Sequence, residues 1–410
     1  MDARKDLLER FVRYTKFDTM SDETRLPAKH PSTDGQWDLL RALRDELLAM
    51  GVKDTVLDEN GFVVGNIPAN GSDAASVAFM AHVDTSSACN GNNVHARVIG
   101  SYDGNDIVLG NNLVLKTAEN PDLEKYRGTT LIVTDGTSLL GADDKAGVAV
   151  IMSNVRVLME NPSIKHGPVQ VIFTPDEETG MGMDHFPTDR LKSRAVYTLD
   201  GSACYRIETE CFNAATVNID FTGVSAHLGA ARGRMVNALT MASAFVSSLP
   251  QSESPEATDG RLGYYCPYSI EGSVESVRLK LMLRDFDFDG LQRRIDVLKT
   301  LSSTIGELYP GSRIDFSSSI SYRNMQQAND ADPVPLEMLM KAAGELEMPI
   351  QVGLIRGGTD GARLAERGIP CPNIFAGGYN FHSLNEWASL EAMHEAYRLV
   401  GQIIRCWAEK

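Results

Sequence analysis

Seven acidic or imidazole side chains lie in five short segments whose residue types suit metal-assisted hydrolysis. The segments contain no cysteine, and oxygen and nitrogen ligands without sulfur suit hard or borderline divalent ions. A pair of such ions can hold and ionise one water molecule for attack on a carbonyl carbon. The side chains are His82 and Asp84 in 81–85, Asp143 in 141–145, Glu177 and Glu178 in 174–180, Asp200 in 198–201, and His382 in 380–383.

Three of these segments follow apolar runs that predict buried strands. The runs and the residues after them are 76–81 with His82 and Asp84, 169–173 with Glu177 and Glu178, and 195–199 with Asp200. The spacing of two between His82 and Asp84 puts both side chains on the same side of an extended segment. In open α/β sheets, ligands bind at the carboxyl ends of the strands, so we expect these residues to meet there.

Each of these residues, taken alone, also has a plain structural explanation. Asp143 precedes a stretch with helical spacing, 146–158, and could equally well be a helix cap. Adjacent glutamates at 177 and 178 are more typical of a solvated turn, and a single His382 is more often structural than a ligand. The consistent strand-end context of all five segments favours one shared site.

Composition narrows the class of protein. The chain has 410 residues, a length that favours two domains. Its net charge is −16 and it has no run of basic residues, so the sequence offers no basic surface for nucleic acid. The absence of an 18-residue apolar run predicts no membrane span, and the N-terminal residues predict an amphipathic helix rather than a signal peptide. A cytoplasmic protein with reduced thiols is expected, because the cysteines are scattered without a C-x-x-C pair, at Cys89, Cys204, Cys211, Cys266, Cys371 and Cys406.

The segments with metal-ligand residues are interrupted by a stretch of different character. Residues 1–211 alternate predicted helices and strands, among them an amphipathic helix over 36–50 that ends at Gly51. Residues 212–322 instead follow a strand-helix-strand-strand-helix-strand order, typical of a small ferredoxin-like α+β domain. Its predicted elements are a strand over 214–221, a helix over 237–248, a loop over 249–259, a strand over 277–286 and a helix over 292–308.

Because His382 follows this stretch, the chain must return to the first domain. We therefore predict an α/β protein with a discontinuous catalytic domain, 1–211 and 323–410. Its mixed, mostly parallel sheet is flanked by helices. The smaller α+β domain, 212–322, is inserted in it.

The chain resembles the M20-type metallopeptidases, and within that family the tripeptide aminopeptidases. The resemblance covers nearly the whole chain, and the first, second and third of its motifs are specific to the wider family. The motifs are AHVDT at 81–85, LLGADDKAG at 139–147, FTPDEETG at 173–180, YTLDG at 197–201, FNAATVNI at 212–219, RDFD at 284–287, RGGTDGARL at 356–364 and CPNIFAGGYNFHS at 371–383. The motifs RDFD and RGGTDG narrow the resemblance to the tripeptide aminopeptidases of this family.

The resemblance implies two zinc ions per chain and a role for each residue of the site. The implied ligands are His82, Asp143 and Asp200 for one ion and Asp143, Glu178 and His382 for the other, with Asp143 bridging. Glu177 would be the general base and acid, and Asp84 would hold the second ring nitrogen of His82.

The resemblance also implies substrate-binding residues. His227 matches the histidine of a family motif that stabilises the oxyanion, although Leu228 replaces the usual proline. Arg284 and Arg356 are candidate partners for a terminal carboxylate, because the guanidinium fork matches a carboxylate. A structural ion pair of Arg284 with Asp285 or Asp287 remains an alternative. After His382, the tripeptide aminopeptidases of this family tend to continue Gly-Lys-His-Glu, whereas this chain has Ser-Leu-Asn-Glu.

The remaining histidines match no motif and are expected to be structural or solvent-facing; they are His30, His95, His166, His185 and His394.

These observations together predict a zinc-dependent aminopeptidase that releases the N-terminal residue of tripeptides. The alternative is a related amidohydrolase that acts on dipeptides or N-acyl amino acids, since the metal ligands do not separate the two. A binding protein that has kept only the fold is disfavoured, because such a protein would not need Glu177. The expected partner is a small peptide, without nucleic acid or membrane. The inserted domain is expected to act as a lid, to bind substrate and to form a homodimer.

Overall fold

The computed structural model describes residues 2–110 and 112–410, and the chain divides into two compact units. The first unit runs to Thr209 and resumes over Met325–Leu354 and Thr359–Lys410. The second unit comprises Glu210–Asn324 and Ile355–Gly358. The chain thus leaves the first unit and returns to it.

The helices of the described residues are α1 (Ala3–Tyr14), α2 (Asp34–Ala49), α3 (Ala142–Glu160), α4 (Ala238–Ser247), α5 (Phe288–Leu308), α6 (Gln326–Ala331), α7 (Val334–Glu345), α8 (Asp360–Ala365) and α9 (Leu390–Ala408).

Their strands are β1 (Asp54–Leu57), β2 (Val63–Ile67), β3 (Val77–His82), β4 (Arg97–Ile99), β5 (Ile107–Gly110), β6 (Leu113–Leu115), β7 (Leu131–Val133), β8 (Val169–Thr174), β9 (Ala195–Gly201), β10 (Arg206–Cys211), β11 (Asn213–Thr222), β12 (Tyr264–Gly272), β13 (Ser276–Asp285), β14 (Arg313–Tyr322), β15 (Gln351–Ile355), β16 (Asn373–Phe375), β17 (Gly378–Tyr379) and β18 (Trp387–Ser389).

The main sheet of the first unit has the strand order β1-β2-β8-β3-β9-β16-β10-β15. Its four central strands, β8, β3, β9 and β16, are parallel, and antiparallel pairs flank them. Strand β3 is buried along its whole length, as expected of a parallel strand covered on both faces. The predicted α/β class with a mixed sheet is confirmed, with the parallel pairing confined to the centre.

Alternate residues of β3 belong to two hydrophobic cores. Phe79 and Ala81 lie in the larger core with α1, α3 and α9, whereas Ala78 and Met80 lie in a smaller core with residues of 183–191 and α8. This alternation follows from the two-residue period of a strand. Helix α9 is amphipathic, and its N-cap is Ser389, whose hydroxyl accepts the N–H of Ala392 at 3.3 Å.

The second unit has an antiparallel sheet in the order β12-β13-β11-β14. Helices α4 and α5 pack on it and share a core that includes Phe221, Phe245 and Leu298. Along the chain the order is strand, helix, two strands, helix, strand, which is the ferredoxin-like order predicted from the sequence.

Two smaller sheets complete the first unit, a four-stranded sheet β17-β18-β7-β4 and the hairpin β5-β6. The sequence did not indicate them, because their strands have only two to four residues. The six cysteines are all free thiols. None of the helices within the described ranges combines the length and the apolar character that crossing a membrane requires.

Candidate metal centre

Three parallel strands of the main sheet deliver side chains to one edge. His82 is the last residue of β3 and pairs in register with Thr174, the last residue of β8. Glu177 and Glu178 lie in the turn directly after β8. Asp200 lies inside β9, one residue before its end, slightly earlier than predicted. The parallel pairing of these strands therefore brings the imidazole and the carboxylates together.

Asp143 reaches the same place from the turn that begins α3. This turn starts at Gly141, whose φ of 78° favours glycine, and Asp143 and Asp144 have non-helical dihedral angles. One carboxylate oxygen of Asp143 lies 2.9 Å from Nε2 of His82, and the other lies 3.1 Å from Nε2 of His382. Asp143 therefore stands between the two imidazoles, as a bridging ligand would.

His382 closes the cluster from the other end of the chain. Its Nε2 lies 2.9 Å from Oε1 of Glu178 and 3.1 Å from Asp143. Its side chain is 46 % exposed, whereas those of Glu178 and Asp143 are 6 % and 10 % exposed. His382 therefore lies at the mouth of an otherwise buried cluster.

Two overlapping groups of these residues could hold a metal ion. In each group the ligand atoms all lie within 4.8 Å of one another, and the groups are His82, Asp143 and Glu178, and His82, Glu177 and Asp200. Glu177 is therefore as close to His82 and Asp200 as a ligand would be. The division between ligands and general base that the resemblance implied remains a prediction.

Asp84 orients two parts of the centre at once. Its carboxylate lies 3.3 Å from Nδ1 of His82, which also lies 3.1 Å from the main-chain oxygen of Asp84. The same carboxylate accepts the N–H of Glu177 at 3.0 Å and of Glu178 at 3.1 Å. The contact with His82 is the one that the sequence predicted, and the contacts with the glutamate turn were not foreseen.

Several carboxylates of the cluster bind protons more strongly than they would in water. Burial raises the pKa of Glu178 and of Asp200 to about 7, and the charge of Asp143 adds to both shifts. Burial also raises the pKa of Glu177 well above its usual value. Hydrogen bonds to Asp143 and Glu178 raise the pKa of His382 to about 11. Protons thus neutralise carboxylates that a divalent ion would otherwise bind.

The donor set fits divalent metal ions. Within residues 2–110 and 112–410, the salt bridges of Asp143, Glu178 and Asp200 are made with the two histidines, and no lysine or arginine pairs with them. A buried group of carboxylates and imidazoles without a basic partner is the ligand chemistry of a hard or borderline divalent ion. The residues present therefore fit the group that the sequence implied.

Sequence reasoning missed three buried carboxylates around this cluster. Asp144 accepts the N–H of His82 at 3.3 Å, Glu386 accepts the N–H of Asp143 at 3.1 Å, and Asp360 accepts the Thr174 hydroxyl at 2.5 Å. Asp144 adjoins a predicted ligand and Glu386 lies four residues after His382, so their positions in the sequence already pointed to the site. Their partners, however, could not be read from local pattern.

The predicted substrate-binding residues all lie in the second unit. His227 is exposed, and its Nδ1 accepts the N–H of Gly229 at 3.2 Å, so the neutral ring carries its proton on Nε2. Arg284 donates to the carbonyl of Leu283 at 2.9 Å and lies over the ring of Tyr322. The alternative ion pairs are taken by other arginines, since Arg294 pairs with Asp285 and Arg293 with Asp287.

Arg356 is held within its own unit. It donates to the carbonyls of Gly260 and Leu262 at 2.9 Å each, and to the carbonyl and hydroxyl of Thr258 at 3.2 and 2.9 Å. The guanidinium also lies over the rings of Phe212 and Tyr264. Arg356 therefore anchors the loop at 258–262, which leaves Arg284 as the better candidate for a carboxylate.

The fold and the site define a metal-dependent hydrolase, and comparison with known proteins narrows the class. The model of peptidase family M20/M25/M40 matches residues 133–405. Peptidase T of Geobacillus thermodenitrificans is 41 % identical over 410 residues, covering 99 % of each chain. Peptidase T of Clostridium perfringens is 40 % identical over 407 residues, covering 99 % of this chain and all of its own.

Solved structures agree on the fold. Aminopeptidase PepT from Bacillus cereus superposes with a TM-score of 0.76 at 23 % identity, with 99 % of both chains covered. A tripeptidase from Staphylococcus aureus superposes with a TM-score of 0.78 at 21 % identity and the same coverage.

The chain belongs to peptidase family M20/M25/M40. Within it, the full-length relatives place the chain with the peptidase T enzymes, so it is a hydrolase of peptide bonds. The family expected from the sequence is confirmed.

Proposed function

We propose that the chain is a metal-dependent tripeptide aminopeptidase that works with two zinc ions. The observation that carries the proposal is the similarity to peptidase T along the whole chain, together with the cluster of His82, Asp143 and His382 at one sheet edge. The proposed ligands are those implied by the sequence, with Asp143 between the two ions. When bound, the ions polarise the substrate carbonyl and acidify the attacking water.

Glu177 is the proposed proton carrier. Its main-chain N–H is fixed by Asp84, and its carboxylate lies among the ligand atoms at the carboxyl end of β8. A carboxylate in this position can take a proton from the attacking water and pass it to the leaving amine. Burial supports this role, since the raised pKa of Glu177 makes its carboxylate a better proton acceptor.

The second unit is proposed to bind the rest of the peptide. The Nε2–H of His227 is a donor suited to the oxyanion, and Arg284 is suited to the terminal carboxylate. A substrate with both a free amine and a free carboxylate at a set separation is then preferred. The proposed homodimer through this unit and the proposed cytoplasmic location stay predictions.

The test is a comparison of peptide lengths. The zinc-loaded protein is incubated with the di-, tri- and tetrapeptides of one residue type, and the released N-terminal residue is quantified. We expect tripeptides to have the highest kcat/KM. Faster cleavage of dipeptides or of N-acyl amino acids would favour the alternative amidohydrolase.

A further inference from the structure

Glu386 joins the two loops that carry Asp143 and His382. It lies four residues after His382 and is 1 % exposed. Its Oε2 accepts the N–H of Leu140 at 2.7 Å and of Gly141 at 2.8 Å, and its Oε1 accepts the N–H of Asp143 at 3.1 Å. One carboxylate thus satisfies three main-chain donors in the turn that ends at a metal-site residue.

A salt bridge does not account for the burial of the Glu386 carboxylate. Lys145 interacts electrostatically with Glu386, but its ammonium donates to the main-chain oxygen of Phe17 at 2.8 Å, and among the described residues it forms no salt bridge with Glu386. Burial of a carboxylate is unfavourable unless hydrogen bonds compensate, and the three main-chain hydrogen bonds to Glu386 all come from one turn. Without the carboxylate, the N–H groups of Leu140, Gly141 and Asp143 would lose their acceptor in a buried place, which would favour a different conformation of the turn.

We propose that Glu386 is a positioning residue that sets Asp143 relative to His382, so that both reach the same metal ion. The two side chains lie 3.1 Å apart although 239 residues separate them in the sequence. Glu386 lies in the same segment as His382 and accepts a hydrogen bond from the main chain of Asp143. It therefore fixes the position of one ligand relative to the other. This inference rests on the proposed function, in which Asp143 and His382 share an ion.

The test is zinc binding by Glu386→Gln. Metal-free wild type and variant are titrated with zinc against a competing chelator, which resolves the two binding steps. Gln has the shape of Glu but can accept through one oxygen only, so the turn loses part of its support. We expect the ion bound by His382 to weaken by about 10- to 100-fold, as for other groups that orient ligands, while the other ion is less affected. Equal affinities in wild type and variant would overturn the proposal.

A matched control is available at Asp58. Its carboxylate also accepts main-chain donors, from Asn60 at 3.0 Å and Phe62 at 2.8 Å, but it touches no residue of the metal cluster. Asp58→Asn should leave both zinc affinities unchanged. If Asp58→Asn weakened zinc binding as much as Glu386→Gln, the effect would be general destabilisation and the proposal would be wrong.

A double variant tests whether Glu386 acts through the shared ion. His382→Ala should bind one zinc ion, and adding Glu386→Gln should weaken that ion by less than Glu386→Gln weakens the ion bound by His382 in the wild-type background. Asp143 reaches both ions, but the relationship to His382 that Glu386 sets is already lost in His382→Ala. A further large loss in the double variant would contradict the proposal. Failure of the proposed function would look different: wild type would bind two zinc ions normally but release no amino acid from tripeptides.

Discussion

The carboxylate of Asp84 holds the main chain of Glu177. The N–H of Glu177 donates to Oδ1 of Asp84 at 3.0 Å, and this oxygen also lies 3.3 Å from Nδ1 of His82. Asp84 is fully buried. A single side chain therefore orients an imidazole of the metal centre and the proposed proton carrier at once.

Asp84→Asn is expected to disturb both the orientation of His82 and the position of the turn that carries Glu177. Asn keeps one acceptor oxygen, so the N–H of either Glu177 or Glu178 loses its acceptor and the turn shifts. Displacement of a catalytic group by about 1 Å can cost about 100-fold in rate. We expect kcat for a tripeptide to stay at least ~10-fold below wild type even at saturating zinc. Kinetics at increasing zinc concentration measure this. A kcat restored in full by zinc would mean that Asp84 serves His82 alone.

Removal of metal should abolish activity. The buried carboxylates around His82 and Asp143 have no lysine or arginine partner among the described residues, and a divalent ion would balance their charge when they are ionised. Dialysis against a chelator should inactivate the protein, and zinc, cobalt or manganese should restore it. Because the ions bind the folded state, zinc at 100 times its dissociation constant should add about 2.7 kcal/mol per bound ion to the free energy of unfolding. Full activity after exhaustive chelation would contradict a metal-dependent reaction.

Glu177→Ala and His382→Ala should fail in different ways. Loss of a proton carrier should lower kcat by roughly 100- to 10,000-fold while zinc content stays near normal. Loss of His382 should lower zinc occupancy. The comparison is informative because the carboxylate of Glu177 lies within ligand distance of His82 and Asp200. If Glu177→Ala emptied the site, the roles of Glu177 and Glu178 would have to be exchanged.

Blocking either terminus of a tripeptide should slow its cleavage. Replacing Arg284 should weaken recognition of the free carboxylate more than replacing Arg356. Amidated or N-acetylated tripeptides should be poor substrates, since an unpaired buried group costs roughly 1–3 kcal/mol. Arg284→Ala should raise KM for free tripeptides more than for amidated ones, because Arg284 is the proposed carboxylate partner. Arg356→Ala should affect free and amidated tripeptides alike, since Arg356 already donates to the loop at 258–262. Equal rates for free and amidated peptides would exclude recognition of the carboxylate.

Stability should depend on pH through Glu208. Burial raises the pKa of this residue to about 7, while Arg206 and Asn373 oppose the shift. Because the folded pKa exceeds the ordinary value of 4.5, folding favours the neutral form. The contribution is fully present below pH 4.5 and is lost as the pH rises through about 7.

Glu208→Gln keeps the shape of the side chain and removes this titration. At pH 8 the variant should therefore be more stable than wild type, by about 1–3 kcal/mol in the free energy of unfolding, and the difference should shrink toward pH 5. Urea denaturation of the metal-free proteins at both pH values measures it. A difference that does not change with pH would show that Glu208 is not the titrating group.

The sequence by itself determined the class of fold and the family. Apolar runs before His82, Glu177 and Asp200 predicted the strands that the structure contains. They could do so because a parallel strand that is buried on both faces is apolar at nearly every position. Motif identity along the chain then indicated the family, which the comparisons confirm. The ferredoxin-like order of the second unit was also readable, since it follows from the succession of local patterns.

Only the tertiary structure decided which side chains support these residues. Glu386 accepts hydrogen bonds from donors 243 to 246 residues away, and Asp84 accepts from a turn 93 residues away. The Arg356 guanidinium donates to a loop 94 to 98 residues away. Local periodicity reports whether a residue is buried, but the partner of a buried polar group depends on how distant segments pack. Hydrogen bonding must be satisfied in the folded chain as a whole, so these contacts had no signal in any single segment.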